Sequence, residues 1–168
     1  DNERPRHRVR LQPFHLQAEP VTRGQYRQFD PALEREQAGP GWTETAIASL
    51  IAISSPADGC PMILVSWFDA FAYAKWLGAN YRLPTEAEWE FCSRAVHAAA
   101  FPWGENPDDG LGRANGCDQV ASNLFTLFPA FTWNDGYIYT SPVMTYQANA
   151  WGLHDMVGNA LQWCGDWY

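Results

Sequence analysis

Apolar and polar positions along the 168 residues fall into stretches of different period. Near the start, HRVRLQPFHL (residues 7–16) alternates and carries β-branched and aromatic side chains, which predicts two short strands or one strand bent at Pro13. The period then changes. In VTRGQYRQF, Thr22 is placed to cap a helix with Tyr26 and Phe29 on one face, three residues apart. From Pro31 to Pro61 the pattern dissolves into Gly, Pro and Ser, with one helix expected near Thr45–Ile53.

Helical spacing returns in VSWFDAFAYAKWLG. Trp67, Phe71 and Ala74 repeat on one stripe, and Phe68, Ala72 and Trp76 on another. Ser66 and Asp69 form a capping box, and Gly78 supplies the stop. A further helix is predicted in YRLPTEAEWEFCSRA, where Leu83 precedes Pro84, Thr85 caps and Glu88 closes the box. Acids at Glu86, Glu88 and Glu90 favour the positive end of that helix dipole. Their spacing of two turns them in different directions, against a catalytic carboxylate pair. Arg82 and Arg94 are the expected partners. After Arg94 the chain reads as turns: FPWGENPDDG, RANGCDQVASN, TWNDGY, TSPV. So long a stretch without periodicity needs some other ordering agent, either buried Trp and Tyr or an oxygen-ligated cation.

Composition narrows the class. Hydrophobic residues at 46% with only 18% charged describe a loop-rich globule, and nine Trp, nine Phe and seven Tyr supply ring area that short elements lack. The length suits one domain, residues 1–168. A net charge of −8 repels a phosphate backbone, so no nucleic-acid partner is expected. The one basic cluster, Arg4, Arg6, His7, Arg8 and Arg10, has period two and reads as the solvated face of an edge strand with Val9 and Leu11 inward. Ala46 to Ile53 is far too short to span a bilayer, and DNERPRHRVRL contains no apolar signal region, so a soluble chain is expected, its compartment undetermined.

Cys60, Cys92, Cys117 and Cys164 are widely separated with no C-x-x-C, which argues against structural zinc and leaves three disulfide pairings or none. Cys92, among Trp89, Phe91 and Ala95, reads as a small buried apolar residue.

Taken in order, VTRGQYRQF, PMILVSWFDAFAYAKWLG, YRLPTEAEWEFCSRA, FPWGE, TSPV and NAWGLHDMVGNALQWCGDWY resemble the formylglycine-generating enzyme family, also called sulfatase-modifying factor domains, over about His7 to Tyr168. The resemblance implies an α+β fold: irregular, loop-rich and C-type-lectin-like, with a small antiparallel sheet, two main helices and bound calcium. One calcium site of the family corresponds to Asn123, Leu124, Asp135 and Tyr137. The other corresponds to Asp155, Gly158, Ala160 and Gln162, where Gln162 replaces the usual carboxylate and so supplies an oxygen without charge. Trp151, Trp163 and Trp167 are expected to pack around GLHDMVGNALQW, and His154 to be an exposed turn residue.

In the enzymatic branch, a cysteine pair well beyond the D-W-Y element works with copper and dioxygen. None of the four cysteines here lies in a matching context, so the chain as given is expected to lack that C-terminal segment, and no catalytic residue is assigned. Two functions follow. One is a non-catalytic module that binds a protein or small-molecule ligand or serves as an accessory part, including the variable ligand-binding proteins diversified by retroelements. The alternative is a copper- and dioxygen-dependent oxidoreductase that converts a protein cysteine to formylglycine, or a related thiol oxidase, with its cysteine pair beyond residue 168.

Overall fold

A computed structural model describes residues 8–31, 44–96, 99–124 and 130–166. Four helices come first: α1 (Arg23–Phe29), α2 (Glu44–Ser54), α3 (Trp67–Leu77) and α4 (Glu86–Arg94). Beyond α4, the described residues form only two short 3-10 turns, Pro107–Gly110 and Ala121–Asn123.

The helix starts follow local chemistry. Thr22, Ser66 and Thr85 each accept a hydrogen bond from the backbone three residues on, and Gln25, Asp69 and Glu88 reach back to close the box. At α4 the closing residue does more. Glu88 is buried, and its two carboxylate oxygens each take a guanidinium nitrogen of half-exposed Arg82 at 2.7 Å. The side-chain bond from Arg82, aided by the Thr85 N–H, overrides burial and lowers Glu88 from the ordinary 4.5 to about 2. Arg94 pairs with Glu90 one turn back at 2.8 Å. The three acids thus serve the helix end and its ion pairs.

The small antiparallel sheet expected from the family resemblance is a correction to make. Among the described residues there is no strand, only isolated antiparallel bridges at Thr22–Pro61 and Phe101–Gly104. At the first, Arg23 and Met62 donate to the carbonyls of Cys60 and Val21. Pro61 has no N–H to extend the pairing and Pro20 interrupts the other side, so the ladder stops at two bonds. The strands predicted from alternation in residues 7–16 are likewise absent from 8–16, and His7 lies outside the described residues.

One core sits between α1, α2 and α3. Tyr26, Ile51, Met62 and Tyr73 are buried together, with Val21, Phe29, Ile63 and Val65 packed on them. Tyr26 stacks on Tyr73 at 5.3 Å between centroids, joining α1 to α3. The loop half closes differently. Phe131 and Trp133 stack at 4.5 Å, and a Cβ added at Gly116 would stand 2.7 Å from the Phe131 ring, so glycine lets that loop approach the rings. Its backbone is held by buried and half-buried side chains. Asp118, fully buried, accepts from the N–H groups of Val120, Ala121 and Asp135; Asn149 accepts from Trp151 and Leu153 and donates to the Cys92 carbonyl.

Because Glu88 both caps α4 and holds Arg82, Glu88→Gln should cost about 2 kcal/mol in urea denaturation at pH 7, more than a cap alone. The folded-state pKa is depressed, so this stabilisation is complete above about pH 4.5 and lost as pH falls through about 2. The gap between wild type and variant should therefore narrow as pH falls below about 4.5 and close near pH 2.

Candidate functional site

Two loop clusters and one cavity bring the candidate residues into view. In the first cluster, Asp135 is half-buried and accepts from the N–H groups of Gly116 through Oδ2 and Tyr137 through Oδ1, both at 2.8 Å. Its own N–H donates to Asp118 Oδ2 at 3.0 Å. The two carboxylates are thus linked through the Asp135 peptide N–H. Burial raises the Asp135 pKa and the Asp118 charge adds to the rise, against the lowering effect of the two N–H bonds. Asp135 and Tyr137 are joined by that Oδ1 bond across a two-residue turn. Asn123 and Leu124 are exposed, and Asn123 donates its Nδ2 to the Gln119 carbonyl, leaving its amide oxygen outside that bond. The link between the two halves of this set runs through Asp118, whose side chain turns the chain at Val120 and Ala121 just before Asn123.

Asp118 escaped the sequence reading. Its signal was an acidic residue two and three positions before N–H groups that need a cap, in GCDQVAS.

The second cluster is GLHDMVGNALQW. Asp155 and Asn159 both adopt left-handed backbone, with φ of 53° and 59°. Asp155 is buried; Oδ2 accepts from the Met144 N–H and Oδ1 from Asn159 Nδ2. Gly158 has φ of 79°, and an added Cβ would stand 1.9 Å from the Asn115 carbonyl oxygen, which itself accepts the Asn159 N–H at 2.8 Å. The Gly158 carbonyl accepts from the Ala160 N–H at 2.7 Å. Gln162 donates Nε2 to the Asp155 carbonyl at 2.7 Å, and its Oε1 accepts from the Trp89 indole at 3.0 Å.

The two clusters fit a calcium ion unequally. The first joins two carboxylates whose partners are peptide N–H groups, an excess of negative charge that suits a hard cation. In the second, Gln162 satisfies the carbonyl of Asp155 and brings no charge. A polar void of about 30 Å³ beside Asp155 also has Arg113 on its wall, a competing positive charge.

Two of the tryptophans expected to pack around this loop lie among the described residues. Trp151 and Trp163 are about half-exposed, Trp151 against Phe91 and Trp163 donating to the Val65 carbonyl; Trp167 lies outside the described residues. His154 is half-buried, its Nδ1 2.9 Å from the Tyr146 carbonyl oxygen. It lines a cavity of about 530 Å³ between Val21, Tyr73 and Leu77 of α3, Trp89 of α4, and Trp163.

All four cysteines are free thiols. Cys92 is buried, and burial with the Glu88 charge raises its pKa; burial with Asp166 and Glu86 pushes Cys164 up to about 11. These surroundings oppose thiolate formation.

The sequence pattern of the family described as sulfatase-modifying factor enzyme 1-like domain matches residues 1–168. A formylglycine-generating enzyme of Streptomyces coelicolor is 32% identical over 204 residues, covering all of this chain and 62% of that protein. The serine/threonine-protein kinase pkn1 of Chlamydia pneumoniae is 32% identical over 177 residues, 99% of this chain and 25% of that protein. Among solved structures, PvdO from Pseudomonas aeruginosa superposes with a TM-score of 0.60 at 26% identity, over 90% of this chain and 56% of that one. The chain therefore spans less than two thirds of the length of these relatives.

Only glycine fits at residue 158, so Gly158→Ala should cost about 3 kcal/mol or more through the clash with Asn115 and the left-handed strain. Thermal unfolding followed by near-ultraviolet circular dichroism would show it as a large drop in midpoint. An unchanged midpoint would contradict the close approach.

Proposed function

This chain belongs to the family of sulfatase-modifying factor enzyme 1-like domains, and on that premise we propose that residues 1–168 act as a ligand-binding or accessory module. The observation that carries this reading is the 530 Å³ cavity, of the size and apolar lining that suit a small ligand or a peptide side chain. The raised thiols at Cys92 and Cys164 support it from the other side, since a reactive cysteine or a copper(I) ligand needs an accessible thiolate. The kinase pkn1 contributes a further argument, because a matching segment there accompanies a protein with a different name and a much greater length.

The oxidoreductase reading draws support from a different fact, the name formylglycine-generating enzyme carried by a relative aligned over the whole chain. On that reading, a cysteine pair beyond residue 168 would ligate copper and react with dioxygen. The two readings separate in one preparation of the protein as its own cells make it, so that any segment beyond residue 168 is included. N-Phenyl-1-naphthylamine, a neutral fluorescent probe, should bind saturably to the wild type and weaken at least about tenfold in Ala74→Trp, which fills the cavity. Incubation with a cysteine peptide, copper(I) and air should yield no peptide aldehyde by mass spectrometry. Aldehyde formation would transfer the assignment to the oxidoreductase.

Calcium belongs to this proposal at the first cluster. Asp135 would supply the charge, with Tyr137, the Asn123 amide oxygen and the Leu124 carbonyl completing an oxygen set of the kind the family resemblance implies. Bound there, the ion supplies positive charge to the Asp118–Asp135 pair and ties the turn after Asp118 to the loop at Asp135. The second cluster, with Asp155, Gly158, Ala160 and Gln162, would hold calcium more weakly because Gln162 is neutral. Accordingly, about 1 mM calcium should raise the melting temperature and a chelator reverse the rise. Asp135→Asn should remove the calcium response. A rise that survives in Asp135→Asn would move the ion elsewhere.

A further inference from the structure

Neutrality is only part of what Gln162 brings to the second cluster; the direction of its amide is the rest. An indole N–H can only donate and a backbone carbonyl can only accept. Gln162 stands between one of each, with Trp89 Nε1 3.0 Å from one end of its amide and the Asp155 carbonyl oxygen 2.7 Å from the other. Those neighbours fix the amide, with Oε1 toward Trp89 on α4 and Nε2 toward the loop.

The oxygens around it have donors of their own. Asp155 Oδ1 accepts from Asn159 Nδ2 at 3.3 Å, Asp155 Oδ2 from the Met144 N–H at 2.9 Å, and the Gly158 carbonyl from the Ala160 N–H at 2.7 Å. These bonds close a turn whose residues Asp155, Gly158 and Asn159 have φ of 53°, 79° and 59°. A calcium ion needs about six to eight oxygens. To offer it Oε1, the Gln162 amide must turn over, which sets donor against donor at Trp89 and acceptor against acceptor at Asp155.

We infer that the Gln162 amide takes the place of a cation in this turn. Its Nε2–H gives the Asp155 carbonyl the positive partner that an ion would give, and at about 1 mM calcium the second cluster binds none. Order in the loop then follows the Trp89 contact with α4 and not the calcium concentration. The inference carries the weaker second cluster proposed above to its limit, and it is independent of the ion proposed at Asp135.

Gln162→Glu, made in the full-length protein and stripped of metal, tests it. The carboxylate keeps an acceptor for the Trp89 indole but sets its other oxygen against the Asp155 carbonyl, so a cation is needed between them. In chelator the variant should melt at least about 4 °C below wild type, and about 1 mM calcium should close most of that gap. Calorimetric titration should count one more calcium per chain in Gln162→Glu than in wild type. Because the count compares variant with wild type, it reads the second cluster whether or not Asp135 binds calcium. Gln162→Leu, with neither donor nor charge, should melt low with or without calcium and gain no ion. A count that Gln162→Glu leaves unchanged overturns the inference, whether wild type already fills the cluster or the carboxylate draws no ion there. Should Gln162→Glu fold under neither condition, the wild type decides by nuclear magnetic resonance. The Gln162 side-chain N–H signals, assigned by their loss in Gln162→Leu, should exchange slowly and persist at about 1 mM calcium. Their loss on adding calcium overturns the inference equally.

Discussion

A loop needs acceptors for its peptide N–H groups wherever water is excluded, and in this fold those acceptors are a handful of buried and half-buried Asp and Asn side chains. Asp118 takes three N–H groups, Asp135 two and Asn149 two, while Asp155 and Asn159 take one each from Met144 and Ser141. Each substitutes for a ladder partner that a strand would have provided. These bonds order the described residues after α4, which hold no regular element beyond two 3-10 turns, and aromatic stacks over small residues fill the space between. An oxygen-ligated cation, one of the two ordering agents expected from the sequence, would face carbonyl and carboxylate oxygens and not these N–H groups. Its remaining argument is the charge of Asp118 beside Asp135.

The helical half and the loop half meet at few but specific points. Gln162 joins the Asp155 carbonyl to the Trp89 indole, Gly165 donates to the Pro84 carbonyl, and the Trp67 indole donates to the Cys164 carbonyl. These contacts fix residues 154–163 across from α3 and α4, and the space left between them is the cavity. The same contacts explain why Gln162, read from sequence as a weakened metal ligand, has a structural role independent of any ion. Its amide bridges two elements, which a carboxylate could not do, because Nε2 is the donor to Asp155.

The α3 surface has a related character. Phe68 and Trp76 are exposed, Phe71 stacks on Trp67 at 5.1 Å, and Lys75 stands 5.7 Å above the Phe71 ring. The sequence showed two apolar stripes on this helix, at Trp67–Phe71–Ala74 and Phe68–Ala72–Trp76. Tyr73 and Ala74 are the residues that the described structure buries. Helical periodicity locates a face; which face is covered depends on what α1 and the 154–163 loop bring to it.

The sequence by itself determined the helices, their capping boxes at Thr22, Ser66 and Thr85, and the family motifs, because those depend on groups within a few residues of one another. The link between Arg82 and Glu88 was legible for the same reason. The sheet was misread: alternation in residues 8–16 and the family's expected architecture both suggested strands, but pairing needs a neighbour with free N–H groups, and Pro20 and Pro61 limit the pairing at Val21–Arg23 to two bonds. Tertiary structure alone decided that Asp118 meets Asp135 across seventeen positions, that Gly158 lies on Asn115, and that His154 and Glu19 line one cavity. No local pattern encodes such meetings, since each depends on how distant loops are folded over one another and which polar group then has no water left to bond.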